Sequence, residues 1–365
     1  MHRRDVFQRR LTSHGLLDSR FEAVEDVMEW MVAAQAQERA IAPWSLGQRT
    51  REAVETDVRE ALTNGSILRT HLLRPTWHYI SNADIGWLLD LSAPRVHGLN
   101  GPYYRKLELD PSLLARCADL LARALEGQRH HTRVELQKVL ETNGVFSNGI
   151  RLSYILMHAE LEKVVCSGAP RGKHHTYALF DERVGARRSL SNDEALAELT
   201  LRFFRSRGPA TLRDYCLWSS LTVRQAKRGL DQVKGSLERS EMDGLTCWMA
   251  SDFRAVATSR HQVHLLQGYD EYFVSYGETR EIHAAPDIPP SPSSRERPFL
   301  HVVVLDGQVV GRWQRQIRRN DATIEVQISR RLARTSASSF RIAAATYEAF
   351  LDMPVQIEYV ASATV

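Results

Sequence analysis

The sequence predicts an α+β fold assembled from several small units. Apolar residues recur at helical spacing through most of the chain before Leu265, interrupted at intervals by short β-branched and aromatic runs. Beyond Leu265 the pattern becomes mainly strand-like. At 365 residues the chain also exceeds what one hydrophobic core usually spans, so two to four domains are expected.

Taken in order, residues 4–13 and 21–35 carry apolar side chains at the helical period, and 46–62 suggest a third helix that Asn64-Gly65 ends. SILRTHLL (66–73) and TWHYIS (76–81) then read as two strands around the turn Arg74-Pro75. Three helices followed by a hairpin is the winged-helix arrangement. A similar order returns with helices at 132–140 and 150–165 and a strand at 176–180, after the polar tip 167–175. It returns again with helices at 211–219 and 222–233, then strands at 236–240 and 245–250 around Asp243-Gly244. Thr132 and Thr211 stand where N-cap hydroxyls would accept from the first helical turn. The repeat is architectural, since the three units barely align. Strands at 272–276, 299–305, 308–315, 323–328 and 355–360, with a helix at 336–350, predict a small β-barrel or sandwich whose tightest turn is Asp306-Gly307. The segment PDIPPSPSSRERP (286–298) is too stiff and polar for a core and reads as a long exposed loop. The expected boundaries are 1–110, 111–190, 191–264 and 265–365.

Composition narrows the class. No apolar run approaches the roughly 20 residues of a membrane helix, and the N-terminus lacks the pattern of a secretory signal, so a cytoplasmic, nucleoid-associated protein without membrane contact is expected. Cys117, Cys166, Cys216 and Cys247 lie far apart without a CxxC pair, which points to reduced core residues rather than a disulfide or zinc framework. No metal or cofactor is expected. The whole net charge of +4 falls within 301–334, where Arg312, Arg315, Arg318, Arg319, Arg330, Arg331 and Arg334 face Asp306, Asp321 and Glu325. A polyanion-binding face has that distribution, and so does a solvated arginine-rich strand.

MVAAQAQERAIAP (31–43) is the most informative segment. The apolar series Val24, Met28, Met31 extends at the helical period to position 35, which is glutamine. Gln37 stands two residues on, and such neighbours do not share a helix face. Gln35 and Gln37 could therefore reach one ligand only if the helix ends or distorts near Ala36. Otherwise Gln35 braces a helix end as a buried amide and Gln37 lies at the surface.

AQAQERA, RPTWH (74–78), GPATLRDYCLWSSL (208–221), LLQGYDEYFVSY (265–276) and VVLDGQVVGRW (303–313) together resemble the AlkZ-like winged-helix DNA glycosylases, over almost the whole chain and in family order. The resemblance implies three tandem winged helices and a C-terminal β-barrel in a C-shaped, DNA-sized surface. It also implies a catalytic Gln, apolar residue, Gln motif, matched by Gln35-Ala36-Gln37. The version ending in Gln is similar to the branch that protects antibiotic producers from their own DNA-alkylating products.

That implication makes chemical sense. An N7-alkylated guanine is cationic and leaves without protonation, so two amides that hold water and turn their dipoles toward the developing sugar cation suffice. No lysine occurs in the matched motifs, so no lyase step is expected. The expected partner is double-stranded DNA containing alkylated guanine, with the protein a monomer.

Arg74 and His78 flank a wing strand near the amides and could bind phosphate, orient Gln35 or serve the hairpin structurally; Arg224, Lys227 and Arg228, and separately Arg312, Arg315 and Arg318, are further DNA-contact candidates, with a solvated surface as the competing account. Asp270-Glu271 could suggest a metal nuclease, although adjacent strand residues point to opposite faces and a structural junction is the plainer reading. His158-Ala159-Glu160 lacks the PCxxC of a deaminase. The competing class is a non-catalytic winged-helix transcriptional regulator.

Overall fold

The computed structural model describes residues 1–17, 21–185, 188–254, 256, 261–283, 301–328 and 334–361. Helix α1 (Arg3–Ser13) is followed by α2 (Val24–Met31), a short strand β1 (Ala33–Gln35), α3 (Ala42–Gly47), α4 (Glu55–Asn64) and the hairpin β2 (Ile67–Leu72) and β3 (Thr76–Ser81). Gly65 caps α4 with φ near +88°, the left-handed conformation in which glycine carries no steric penalty. A long connecting helix α5 (Ile85–Lys106) leads into α6 (Pro111–Leu125), β4 (His131–Thr132), α7 (Arg133–Thr142), α8 (Gly149–Leu161), β5 (Val165–Ser167), β6 (Thr176–Leu179) and the short α9 (Phe180–Arg183). Then come α10 (Asn192–Arg207), β7 (Ala210–Thr211), α11 (Leu212–Ser219), α12 (Val223–Val233), β8 (Leu237–Met242) and β9 (Leu245–Ala250).

Three small antiparallel sheets result, ordered β1-β3-β2, β4-β6-β5 and β7-β9-β8. In each, a short strand precedes two or more helices and returns to the edge beside the last strand of the hairpin. The threonine caps form as expected: Thr132 accepts from Glu135 N and Thr211 from Asp214 N, each reciprocated by the acidic side chain.

Four departures from the sequence reading matter. The helix expected over 21–35 stops at Met31, and Gln35 lies on a strand. The single helix expected over 46–62 is two, α3 and α4. The strand expected over 272–276 is a one-turn helix, α13 (Glu271–Val274), because Asp270 caps it by accepting from Tyr272 N at 2.9 Å.

Finally, no closed barrel forms. Strands β10 (Val263–Leu266), β11 (Val302–Leu305), β12 (Gln308–Ile317), β13 (Ala322–Ile328) and β14 (Val355–Ala361) make an open sheet in that order. The chain reaches β14 through helix α14 (Ala337–Leu351), which adds it parallel to β13 and leaves β14 at the edge opposite β10. The helix packs its buried Phe340, Tyr347 and Phe350 onto the sheet, so the sheet is covered rather than closed. Segment 286–298 lies outside the described residues, as do Arg330 and Arg331.

The hydrophobic cores cross the expected boundaries. Val24, Met28, Trp44 and Val58 share one core with Leu265, Val303, Trp313, Ile324 and Phe350, so the first unit and the C-terminal sheet are buried against each other. Gly47 marks the closest approach: a Cβ there would lie 2.3 Å from the Phe350 ring. Helix α1 bridges two units: its C-terminal Ser13 O accepts from Trp30 Nε1 at 2.7 Å, while Val6 clusters with Met242 and Cys247 and Arg10 Nε donates to Pro209 O at 3.0 Å. Cys117, Cys166 and Cys247 are buried, Cys216 is half-buried, and all are free thiols. No helix among the described residues is long and apolar enough to cross a membrane.

Candidate active site

Gln35 and Gln37 owe their geometry to the way α2 ends. Val32 follows it with φ near +60°, an unfavourable conformation for a β-branched residue, and its side chain is fully buried. Arg207, at the end of α10, holds the chain there: it donates to Met31 O at 2.9 Å and to Ala33 O at 2.7 Å. The following residues extend along β3, with Gln35 opposite His78 and Ala36 N donating to Trp77 O at 2.7 Å. β1 ends at Gln35, and the amides that a continuous helix would separate both reach the β2–β3 hairpin, Gln35 through Arg74 and Gln37 through Trp77 N.

Both amide oxygens are anchored. Gln35 is 6% exposed, and its Oε1 accepts from Arg74 Nη2 at 3.0 Å; a guanidinium only donates, which fixes the orientation of the amide. Gln37 is exposed, and its Oε1 accepts from Trp77 N at 3.2 Å. Among the described residues neither Nε2 has a hydrogen-bond partner, and each oxygen keeps a second lone pair.

Arg74 is positioned in turn by His78. The His78 ring is fully buried, with Nδ1 2.9 Å from Thr76 O and Nε2 3.3 Å from Arg74 Nη2. Burial, reinforced by the Arg74 charge, lowers the imidazole pKa to about 3, so the ring is neutral: Nδ1 donates to the carbonyl and Nε2 accepts from Arg74. His78 does not reach the surface, and Arg74 is half-buried and spent on Gln35.

Behind the strand lies a buried ion pair that sequence reasoning did not foresee as part of the site. Glu271 Oε1 accepts from Gln35 N at 2.8 Å, while Oε2 accepts from Arg207 Nη2 at 3.0 Å, Trp218 Nε1 at 2.8 Å and Ser275 Oγ at 2.7 Å. Burial pushes the Glu271 carboxyl up, but Arg207 and then Arg74 outweigh it and hold the pKa down at about 2. Asp270 beside it is enclosed by Arg49, at 2.6 and 2.9 Å, and by Ser45 and Gln48. Both carboxylates are thereby committed to structural partners, and they tie the C-terminal segment to the first and third units. Gln267, in the same motif, donates to Gln35 O at 3.4 Å. Arg207 carries no signal in the sequence, being one basic residue among several at a helix end.

The remaining cationic candidates are distributed differently. Arg224, Lys227 and Arg228 are exposed together on α12 and line an open cleft of about 710 Å³ with Asp193 and Asp231; Arg228 pairs with Asp193 at 2.5 Å. Arg312 and Arg315 fall on opposite faces of β12. Arg315 donates to Tyr347 Oη and Ala40 O, bracing the loop after Gln37, and Arg318 pairs with Asp321 at 3.0 Å. These three do not form one patch.

Comparison with known proteins gives a consistent result. The chain is 24% identical over 324 residues to an interstrand DNA cross-link repair glycosylase of Streptomyces sahachiroi, covering 85% of this chain and 87% of that protein. Its fold superposes on the solved structure of Streptomyces sahachiroi DNA glycosylase AlkZ with a TM-score of 0.80 and 21% identity, covering 98% of this chain and 99% of the other. The family described as DNA glycosylase AlkZ-like matches residues 28–350, most of the sequence, and the chain belongs to that family of DNA glycosylases.

Proposed function

We propose that the protein hydrolyses the N-glycosidic bond of cationic N7-alkylguanine in duplex DNA, with Gln35 and Gln37 as the catalytic residues. The observation that supports this reading is the anchoring of both amide oxygens to one hairpin, Gln35 by Arg74 and Gln37 by Trp77 N. Breaking C1′–N9 returns the bonding electrons to the cationic purine, which leaves neutral, while C1′ acquires oxocarbenium character. A water held by the amides supplies the oxygen that bonds to C1′, and its proton passes to solvent. The product is the free alkylated base and an abasic site, with no lyase step and no cofactor.

Fixed dipoles facing a developing charge each contribute about 3 kcal/mol, and holding the nucleophile adds to this. A neutral base would need an acid, and His78 is neutral, buried and bonded on both ring nitrogens. Selectivity for cationic lesions follows. The cross-link repair named for the Streptomyces relative suggests bulky adducts and interstrand crosslinks as substrates, in self-resistance or repair by a monomeric protein near the nucleoid. The three strand-helix-hairpin units would act as winged helices along the duplex, with Arg224, Lys227 and Arg228 on phosphates.

The test is a duplex carrying one N7-alkylguanine, either methyl or a bulky intercalated adduct, incubated in chelator and scored for alkali-labile scission. Wild type should generate abasic sites, and Gln35→Ala or Gln37→Ala should each lose on the order of 100-fold or more in rate. No release above spontaneous depurination from either adduct would overturn the reading and favour a DNA-binding regulator.

A further inference from the structure

A second constellation lies away from the amides, where α5 crosses α8. His97 of α5, with His158 and Glu162 at the end of α8, offer ligand atoms that all lie within 4.8 Å of one another. His158 and Glu162 are one helical turn apart and so share a face. His97 Nε2 is a buried nitrogen that faces Glu162 Oε1 at 3.0 Å, an ion-pair contact that draws the two ligand atoms together. The other ring nitrogen is held, since Nδ1 lies 2.9 Å from Tyr104 Oη. The His97 and His158 rings are 5.0 Å apart.

We propose that His97, His158 and Glu162 bind a divalent first-row metal ion, with Zn²⁺ the best match. Two imidazoles and one carboxylate are a common zinc donor set, and a tetrahedral ion with bonds of about 2.0–2.1 Å spaces its ligands about 3.3 Å apart, close to the His97–Glu162 separation. An ion seated between His97 Nε2 and Glu162 replaces their direct contact, and Nδ1 then donates to Tyr104 Oη, the outer contact that fixes a metal-bound imidazole. The site opens into a cleft of about 740 Å³ lined by Tyr104, Arg105, Glu108 and Asp110, which leaves room for water as a fourth ligand. An ion there fastens the connecting helix to the second helix of the second unit. It takes no part in base release.

The experiment is Zn²⁺ titration of the untagged full-length chain by calorimetry, with Co²⁺ as a visible-absorbing substitute, for wild type, His97→Gln, His158→Gln, the double variant and Tyr104→Phe. Circular dichroism checks the fold of each variant. Wild type should take up one equivalent with a rise in thermal midpoint, the single variants should bind at least about 100-fold more weakly, and Tyr104→Phe about tenfold more weakly. Absence of a stoichiometric site in wild type, or equal binding by wild type and the double variant, would overturn the proposal.

Discussion

Glu271 shows how much a single side chain can organise. It accepts the main-chain hydrogen of Gln35 and neutralises Arg207, which in turn holds the carbonyls of Met31 and Ala33. Replacing Glu271 by Gln leaves a buried guanidinium unpaired, and should lower stability by about 3–5 kcal/mol, measured by urea unfolding at neutral pH. Its carboxyl titrates at about 2 in the fold, below the ordinary 4.5, so the ionised form stabilises the native state fully above pH 4.5 and progressively less as pH falls toward 2. The stability gap between wild type and Glu271→Gln should narrow over that interval. His78 allows a second prediction at this scale. With its pKa near 3 and amides that do not titrate, base release should be flat between about pH 5 and 8. A limb with an apparent pKa near neutrality would contradict the amide mechanism. Gln35 and Gln37 were legible as polar residues at the end of an apolar series; Arg207 was not, since only folding brings residue 207 to residues 31 and 33.

At the scale of elements, the sequence is a good guide where the determining interactions are local. Thr132, Thr211 and Thr222 each cap a helix through a reciprocal bond to the residue three positions on. Thr222→Ala should cost about 1 kcal/mol in urea unfolding and fray the turn that carries Arg224, with no change expected in the Gln35 strand. Where the determining contacts are distant, the reading failed. Apolar periodicity ran on to Gln35 because it cannot register the Arg207 hydrogen bonds or the β3 pairing that stop α2 at Met31. Likewise Asp270 converts an aromatic, strand-like run into one helical turn by capping it.

On the scale of the whole molecule, the sharing of cores matters most. Trp44 donates to Leu265 O at 2.6 Å and stacks edgewise on Tyr347 at 4.8 Å, so the first unit is completed by residues more than 200 positions away in the chain. A truncated chain ending at residue 262 exposes that core, and should show no cooperative thermal transition for the segment containing α2 to α4. A sigmoidal transition from the truncated chain would mean the first unit folds alone.

The sequence by itself determined the α+β class, the first and third hairpins, the caps by Thr132 and Thr211 and the tight turns, because hydrophobic period, capping and turn chemistry act over a few residues; α6, α10 and the second unit's β5 emerged only in the structure. The tertiary structure alone decided that both amides are anchored to one hairpin and that the C-terminal strands stay an open sheet under α14. It also decided that Glu271 and Arg207 stand behind the site. Those outcomes depend on buried charge pairs and strand registers between segments far apart in the chain, and such contacts exist only once the cores have closed.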